Sequence, residues 1–275
     1  MKPRLLALDV DGTLTAPERP LDGPLAAALE ALAASGVVVV LATGRGRASM
    51  RAIVQRVGRV AYCILNNGSV VRRVDGDRVV RARHLALGAA EAVVAAFRRH
   101  RLHAIWIESP YAGDRYLVDG AWWDDRATQR YLTARWSYTR PLLQTRTAPP
   151  PVEVFAFGDS PTIATVEAEL GRDLRDQIAT VSWWSERIQS AAVEVLPAGV
   201  SKGEALAWLA AELDIKREAV VAVGDDRNDR EMLQWAGFSV ALAGAPADVQ
   251  SIASRVMANT GEPAVRTLIR ELWGV

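Results

Sequence analysis

The hydrophobic residues of this chain fall in short runs that stop on acidic, glycine or hydroxyl residues. Leu5–Val10 is such a run, with Asp9 and Asp11 at its end and Gly12 and Thr13 behind them. That pattern suits a buried strand followed by a tight loop. Pro24–Ala34 reads as a helix stopped by Gly36. Val37–Ala42 is an uninterrupted, mostly β-branched run, the signature of a strand covered on both faces, and it closes on Thr43, Gly44 and Arg45. A helix over about Arg47–Val57 leads to a strand at Ala61–Leu65 and a turn at Asn66, Asn67 and Gly68. Such alternation of strand and helix calls for parallel pairing and a doubly wound sheet.

The same grammar returns near the C-terminus. Ser201 is placed to cap a helix over about Lys202–Leu213, with Glu204 as its capping-box partner. Ala219–Val223 is another buried strand, closed by Gly224, Asp225 and Asp226. Helix and strand repeat through Glu231–Trp235 and Ser239–Ala243, and a last helix lies around Pro263–Trp273. Between these halves the pattern changes. From His84 to Leu196 the candidate strands, such as Asp114–Val118 and Val152–Gly158, are longer and more alternating, and six of the nine tryptophans occur there. The expected fold is α/β. A doubly wound, mostly parallel, Rossmann-like core is formed by residues 1–83 and 197–275, and residues 84–196 are inserted as a second α/β domain.

Composition narrows the function classes. Half of the 275 residues are hydrophobic and 24% are charged, the balance of a soluble globular protein. A formal net charge of +1 provides no field to recruit nucleic acid or an anionic membrane. No apolar run has the length of a membrane span, and Asp9 interrupts what would be the core of a signal peptide, so a cytoplasmic protein is expected. The single cysteine, Cys63, excludes an internal disulfide and a cysteine-built metal site. Among 33 basic residues only Lys2, Lys202 and Lys216 are lysines, so a lysine deep in the chain stands out.

Asp9 and Asp11 stand at i and i+2 where a strand stops, a spacing that in extended backbone puts both carboxylates on one side. One could attack while the other shuttles a proton; the bland alternative is a surface turn in which both cap backbone groups. Thr43 and Gly44 offer a hydroxyl and an unhindered amide to a phosphoryl oxygen, although Thr-Gly after a strand is also common turn chemistry. Lys202 opens a helix, where its ammonium can hold a phosphate or the Asp9 carboxylate, or simply face solvent. Asp225 is the best candidate for a hard-cation ligand, Asn228 could donate to phosphate, and Asp229 could ligate directly or orient the ligands. His84, His100 and His103 have no partner at motif spacing and read as structural.

In order along the chain, Asp9-Val10-Asp11-Gly12-Thr13, Thr43-Gly44-Arg45, Lys202-Gly203 and Gly224-Asp225-x-x-Asn228-Asp229 resemble the haloacid dehalogenase-like phosphatases. Asn67-Gly68, the long insert and Gly199-Val200-Ser201 make the chain similar to the Cof-type subfamily, whose insert is an α/β cap. The resemblance implies a Mg²⁺-dependent phosphatase acting on a small phosphorylated metabolite such as a sugar phosphate, as a monomer or homodimer. It implies that Asp9 attacks phosphorus to form an aspartyl-phosphate, and that Asp11 protonates the leaving alcohol and then activates water. Mg²⁺ would be held by the Asp9 carboxylate, the Asp11 backbone carbonyl and Asp225, with Asp229 beside them. Thr43, Gly44, Lys202 and Asn228 would hold the phosphoryl oxygens. Trp122, Trp123, Trp183 and Trp184 are candidates for substrate contact within the cap. One departure is Ala243-Gly244-Ala245, where relatives often carry Gly-Asn-Ala. Two other readings are a phosphomutase similar to eukaryotic phosphomannomutases, suggested by Leu14-Thr15, and a non-catalytic phosphometabolite-binding protein.

Overall fold

The computed structural model describes residues 2–15, 21–260 and 262–275, and the chain divides into two compact units, Met1–Arg81 with Ser201–Val275 and Ala82–Val200. In chain order the first unit begins with β1 (Leu5–Asp9), α1 (Gly23–Ala34), β2 (Val38–Ala42), α2 (Arg47–Val57), β3 (Tyr62–Leu65), β4 (Val70–Arg73) and β5 (Arg78–Ala82). The second unit holds α3 (Leu87–Arg99), β6 (Ile105–Ile107), β7 (Tyr116–Val118), α4 (Arg126–Thr133), β8 (Thr139–Pro141), β9 (Glu153–Gly158), α5 (Ser160–Asp173), β10 (Ile178–Ser185) and β11 (Ser190–Pro197). The chain then returns to the first unit with α6 (Lys202–Glu212), β12 (Val220–Gly224), α7 (Arg230–Trp235), β13 (Phe238–Leu242), α8 (Ala247–Gln250), β14 (Arg255–Met257) and α9 (Ala264–Trp273).

The sheet of the first unit runs β14-β13-β12-β1-β2-β3-β4-β5. From β14 to β3 every pairing is parallel, as the unbroken apolar runs require, and β4 then returns antiparallel to β3. Leu5, Leu6, Ala7 and Leu8 have no exposed surface. Each buried leucine contributes on the order of 1.5–3 kcal/mol, enough together to hold a partly compensated carboxylate at the strand's end. On one face Leu5 and Ala7 pack with Ala205, Leu206 and Leu209 of α6 and with Met232 and Leu233 of α7. On the other, α1 lies against α9. Burial pushes the Cys63 thiol up to about 12, so it is an inert core group.

The hairpin of β4 and β5 was not legible as strands, because Arg72 breaks the apolar period. Arg72 is nevertheless buried, and its guanidinium is tied to Asp77 at 2.9 Å in the connecting turn. Charge there marks a local ion pair, not a solvent face.

The second unit is a six-stranded sheet ordered β10-β11-β9-β6-β7-β8, antiparallel except where β7 meets β8. One face is covered by α3 and α5 around Trp106, Phe97, Val93, Val166 and Val193. The buried Trp106 indole N–H donates to the Pro149 carbonyl at 3.1 Å, which makes its burial affordable. The expected strand Asp114–Val118 is shortened to β7, because Gly113 (φ +136°) and Asp114 (φ +58°) turn the backbone out of extension. The longest hairpin, β10 with β11, pairs Ile178 with Pro197 through Ser185 with Ser190. Trp122, Trp123 and Trp136 form a ring cluster, with Trp123 59% and Trp136 66% exposed, while Trp183 packs edge-on against Phe157.

Candidate active site

β1 is the point at which the chain changes direction across the sheet. It proceeds to β2 and β3 on one side and later returns to β12, β13 and β14 on the other. Loops leaving such neighbouring strands diverge and open a crevice at their carboxyl ends. Leu8 pairs with both Leu41 and Val223, and Asp9 pairs with Ala42, so Asp9, Thr43 and the Gly224–Asp225 segment all emerge at that edge.

The loop after β1 folds back at once. The amides of Leu14 and Thr15 both donate to the Val10 carbonyl, and Gly12 donates to the Thr15 carbonyl at 2.6 Å. Gly12 has φ +92°, and a Cβ built there would lie 1.9 Å from Asp225 Oδ2. Only glycine lets this loop lie against Asp225. From the same loop the buried Thr13 hydroxyl donates to Asp225 Oδ1 at 2.5 Å.

Lys202 is the first residue of α6, whose N-terminus is capped by Ser201 Oγ accepting from the Glu204 amide at 3.1 Å. Its ammonium points inward and is 1% exposed, 2.7 Å from Asp9 Oδ1 and 2.8 Å from Asp229 Oδ1. Gly203 permits this approach, since a Cβ there would sit 2.4 Å from the backbone of Glu231. Asp229 is fully buried, and its other oxygen accepts from the amides of Asp225 (3.0 Å) and Asp226 (3.1 Å). It therefore shapes the loop that presents Asp225 and anchors the lysine.

Carboxylate oxygens of Asp9, Asp225 and Asp229 lie within 4.8 Å of one another. Burial holds the Asp9 carboxyl well above its usual range; Lys202 opposes this, and Asp229 and Asp225 reinforce it. Burial likewise raises Asp225, to about 6, against the Thr13 hydrogen bond. Lys202 is held protonated by Asp229 and Asp9 in spite of its burial. Three carboxylates thus face one ammonium, an excess of two negative charges when all are ionised, which one divalent cation would balance. Asp9 Oδ2 is buried without a hydrogen-bond partner among the described residues. An all-oxygen donor set with an unpartnered carboxylate oxygen fits a hard divalent cation.

Because the folded pKa of Asp225 lies above the carboxylate's ordinary 3.8, its contribution is present at low pH and lost as pH rises through about 6. Asp9, Asp229, Lys202 and Thr13 face this group. Chelator-treated protein is expected to lose stability relative to Asp225→Asn between about pH 4 and pH 6, and to lose no more relative to it above about pH 7, measured by urea unfolding. Parallel curves for the two proteins would show that Asp225 is not the cause.

The other candidates stand in two further groups. The Asp11 carboxylate does not join the cluster. β1 ends at Asp9 and the backbone is no longer extended, so Asp11 turns outward, half-exposed, into a two-pronged pair with the guanidinium of Arg45. Thr43 is buried, its Oγ accepting from the Arg45 amide at 3.1 Å. Asn228 Nδ2 donates to Asn67 Oδ1 at 3.0 Å, and the Asn67 carboxamide lies against Gly44. The contacts of Thr13, Arg45 and Asn67 with these residues were not anticipated. The signal for them was their place within the motifs, Thr13 in the first, Arg45 in the second and Asn67 in the Asn67-Gly68 pair. The histidines lie elsewhere, with His84 on Ser109, His100 on Glu169 and His103 on the Asp119 carbonyl.

Comparison with known proteins agrees with this geometry. The family model for haloacid dehalogenase-like hydrolases matches residues 6–269. The chain is 31% identical over 246 residues to the HMP-PP phosphatase of Cronobacter sakazakii, covering 88% of this chain and 85% of that protein. Its fold resembles that of a haloacid dehalogenase-like hydrolase from Bacteroides thetaiotaomicron, with a TM-score of 0.83 at 23% identity over 99% of this chain and 100% of the other. It also resembles a subclass IIB sugar phosphatase of the superfamily, with a TM-score of 0.80 at 20% identity over 99% and 100% of the two chains. The chain belongs to the haloacid dehalogenase-like hydrolase family, as a phosphatase of its Cof type.

Proposed function

We propose that the protein is a Mg²⁺-dependent phosphatase that hydrolyses a phosphomonoester of a small metabolite through an aspartyl-phosphate on Asp9. The observation that carries this reading is the state of the Asp9 carboxylate. Lys202 fixes one oxygen, while the other is buried and has no hydrogen-bond partner among the described residues, at the switch point of the sheet.

Asp9, Asp225 and the Asp11 backbone carbonyl would hold Mg²⁺, with Asp229 acting through the Asp225 loop and Lys202, since its oxygens already accept from those groups. When bound, the cation supplies charge neutralisation at the phosphoryl oxygens. An Asp9 oxygen attacks phosphorus, and the bond from phosphorus to the leaving oxygen breaks. Asp11, which the hydrolysis half of each cycle leaves protonated, parts from Arg45 and gives that proton to the leaving oxygen, so the product leaves as an alcohol. The Asp11 carboxylate then takes a proton from water as the water attacks phosphorus, releasing phosphate and restoring the Asp9 carboxylate. Thr43, Gly44, Lys202 and Asn228 hold the phosphoryl oxygens while charge shifts among them.

The substrate class follows the relatives' names. A sugar phosphate is one candidate, after the name of a fold neighbour, and HMP-PP is the other, after the name of a relative 31% identical to this chain. No helix among the described residues is long and apolar enough to cross a membrane. The test is phosphate release from an aryl phosphate and from a panel containing both candidates. Activity should vanish after chelation and return with Mg²⁺; hydrolysis that persists in chelator would contradict the reading.

A further inference from the structure

The turn Asn66–Asn67–Gly68 after β3 has no part in the mechanism above, yet it touches every segment that would hold the phosphoryl group. The Asn66 amide donates to the Arg45 carbonyl at 3.2 Å and the Asn67 amide to the Thr43 carbonyl at 3.1 Å, fixing the end of β2. Gly68, at φ +109°, sits so close to the start of α6 that a Cβ would lie 2.2 Å from the Ser201 carbonyl oxygen. Asn66 (φ +50°) and Asn67 (φ +51°) are consecutive left-handed residues, and both are buried. A left-handed turn alone is satisfied by glycine at no steric cost, and a buried carboxamide there needs partners. Asn67 has one in Asn228, whose Nδ2 donates to its Oδ1 at 3.0 Å.

We propose that Asn67 is a positioning residue for phosphoryl transfer, acting through Asn228 and the Thr43–Gly44 turn. Its side-chain carbonyl accepts one of the two N–H groups of the Asn228 carboxamide. That fixes the plane of the amide and leaves the second N–H in a set direction. Without the acceptor, the Asn228 amide rotates about its last torsion, a broad and weakly restrained degree of freedom. The carboxamide of Asn67 also fills the space over Gly44, where a Cβ would meet its Nδ2 at 3.2 Å and its Oδ1 at 3.3 Å. One side chain thereby registers the loop after β12 against the loop after β2.

The inference rests on the phosphatase reading of this site, which Asp9→Asn tests separately. Asn67→Gly is the informative variant, because glycine keeps the left-handed backbone and removes only the side chain. The expected result is a fall in kcat of about tenfold, the scale of one orienting hydrogen bond, with Tm unchanged. Inhibition by inorganic phosphate should weaken in parallel. In the Asn228→Ala background the same change should have a smaller effect, because one of its two routes is already gone. Wild-type kcat and phosphate inhibition in Asn67→Gly would overturn the proposal. So would a loss in the double variant equal to the product of the two single losses. Activity retained in Asp9→Asn would instead contradict the nucleophile assignment and leave the Asn67 comparison intact.

Discussion

Replacing Lys202 with methionine is expected to cost the metal-free protein about 3–5 kcal/mol of stability and to abolish phosphatase turnover. The side chain is 1% exposed, and its ammonium is shared between Asp9 Oδ1 and Asp229 Oδ1. Methionine conserves the volume and removes the charge, so two buried carboxylates lose their common cation. The loss is therefore larger than that of a surface ion pair, which is worth about 1 kcal/mol or less. Mg²⁺ should recover part of the stability, because it neutralises the Asp9 side of the cluster. It should not recover turnover, because the charge that fixes Asp9 is gone. Urea unfolding with and without Mg²⁺, beside a phosphate-release assay, measures both effects. A variant as stable as wild type in chelator would show that the buried lysine does not carry the cluster.

Asp9→Asn is expected to lower turnover by about 10⁴-fold or more without unfolding the protein. The amide keeps the shape of the carboxyl group, and Lys202 retains Asp229 as its partner. Burial and the neighbouring Asp229 and Asp225 all work against the charged form of Asp9, so a neutral group relieves that strain. The rise in Tm that Mg²⁺ gives the wild type should shrink in the variant, because one oxygen ligand is weakened. Turnover within tenfold of wild type would remove Asp9 from the chemistry.

Much of this arrangement was legible from the chain because its core strands are buried on both faces. A parallel strand such as Val38–Ala42 leaves an unbroken apolar run, and each run ends where the sheet ends, so the acids behind it mark the site's edge. The helix opening at Lys202 announced itself through Ser201, whose Oγ caps it, whereas the Glu204 side chain, expected to complete a capping box, pairs with Arg81 instead. What the sequence concealed depends on backbone direction and long-range contact. Asp11 shares the i, i+2 spacing with Asp9, but the chain leaves the strand at Asp9, and the second carboxylate points to Arg45 instead. Spacing indicates a common side only while the backbone stays extended. Thr13 meets Asp225, and Asn67 meets Asn228, across more than 150 intervening positions, a relation that no local pattern encodes. In the second unit, left-handed Asp114 cut a strand that alternation had lengthened, and buried Arg72 hid a hairpin in the first.

The central claim is a covalent bond from Asp9 to phosphorus, and it can be trapped. The protein would be mixed with Mg²⁺ and a hydrolysed phosphomonoester, quenched in acid within the first turnovers, and reduced with borohydride, which converts an aspartyl-phosphate to homoserine. Peptide mass mapping should then find homoserine at position 9, in place of Asp9, only when substrate and Mg²⁺ are both present. An unmodified Asp9 under conditions of active turnover, or homoserine at Asp11 or Asp225 instead, would contradict the account.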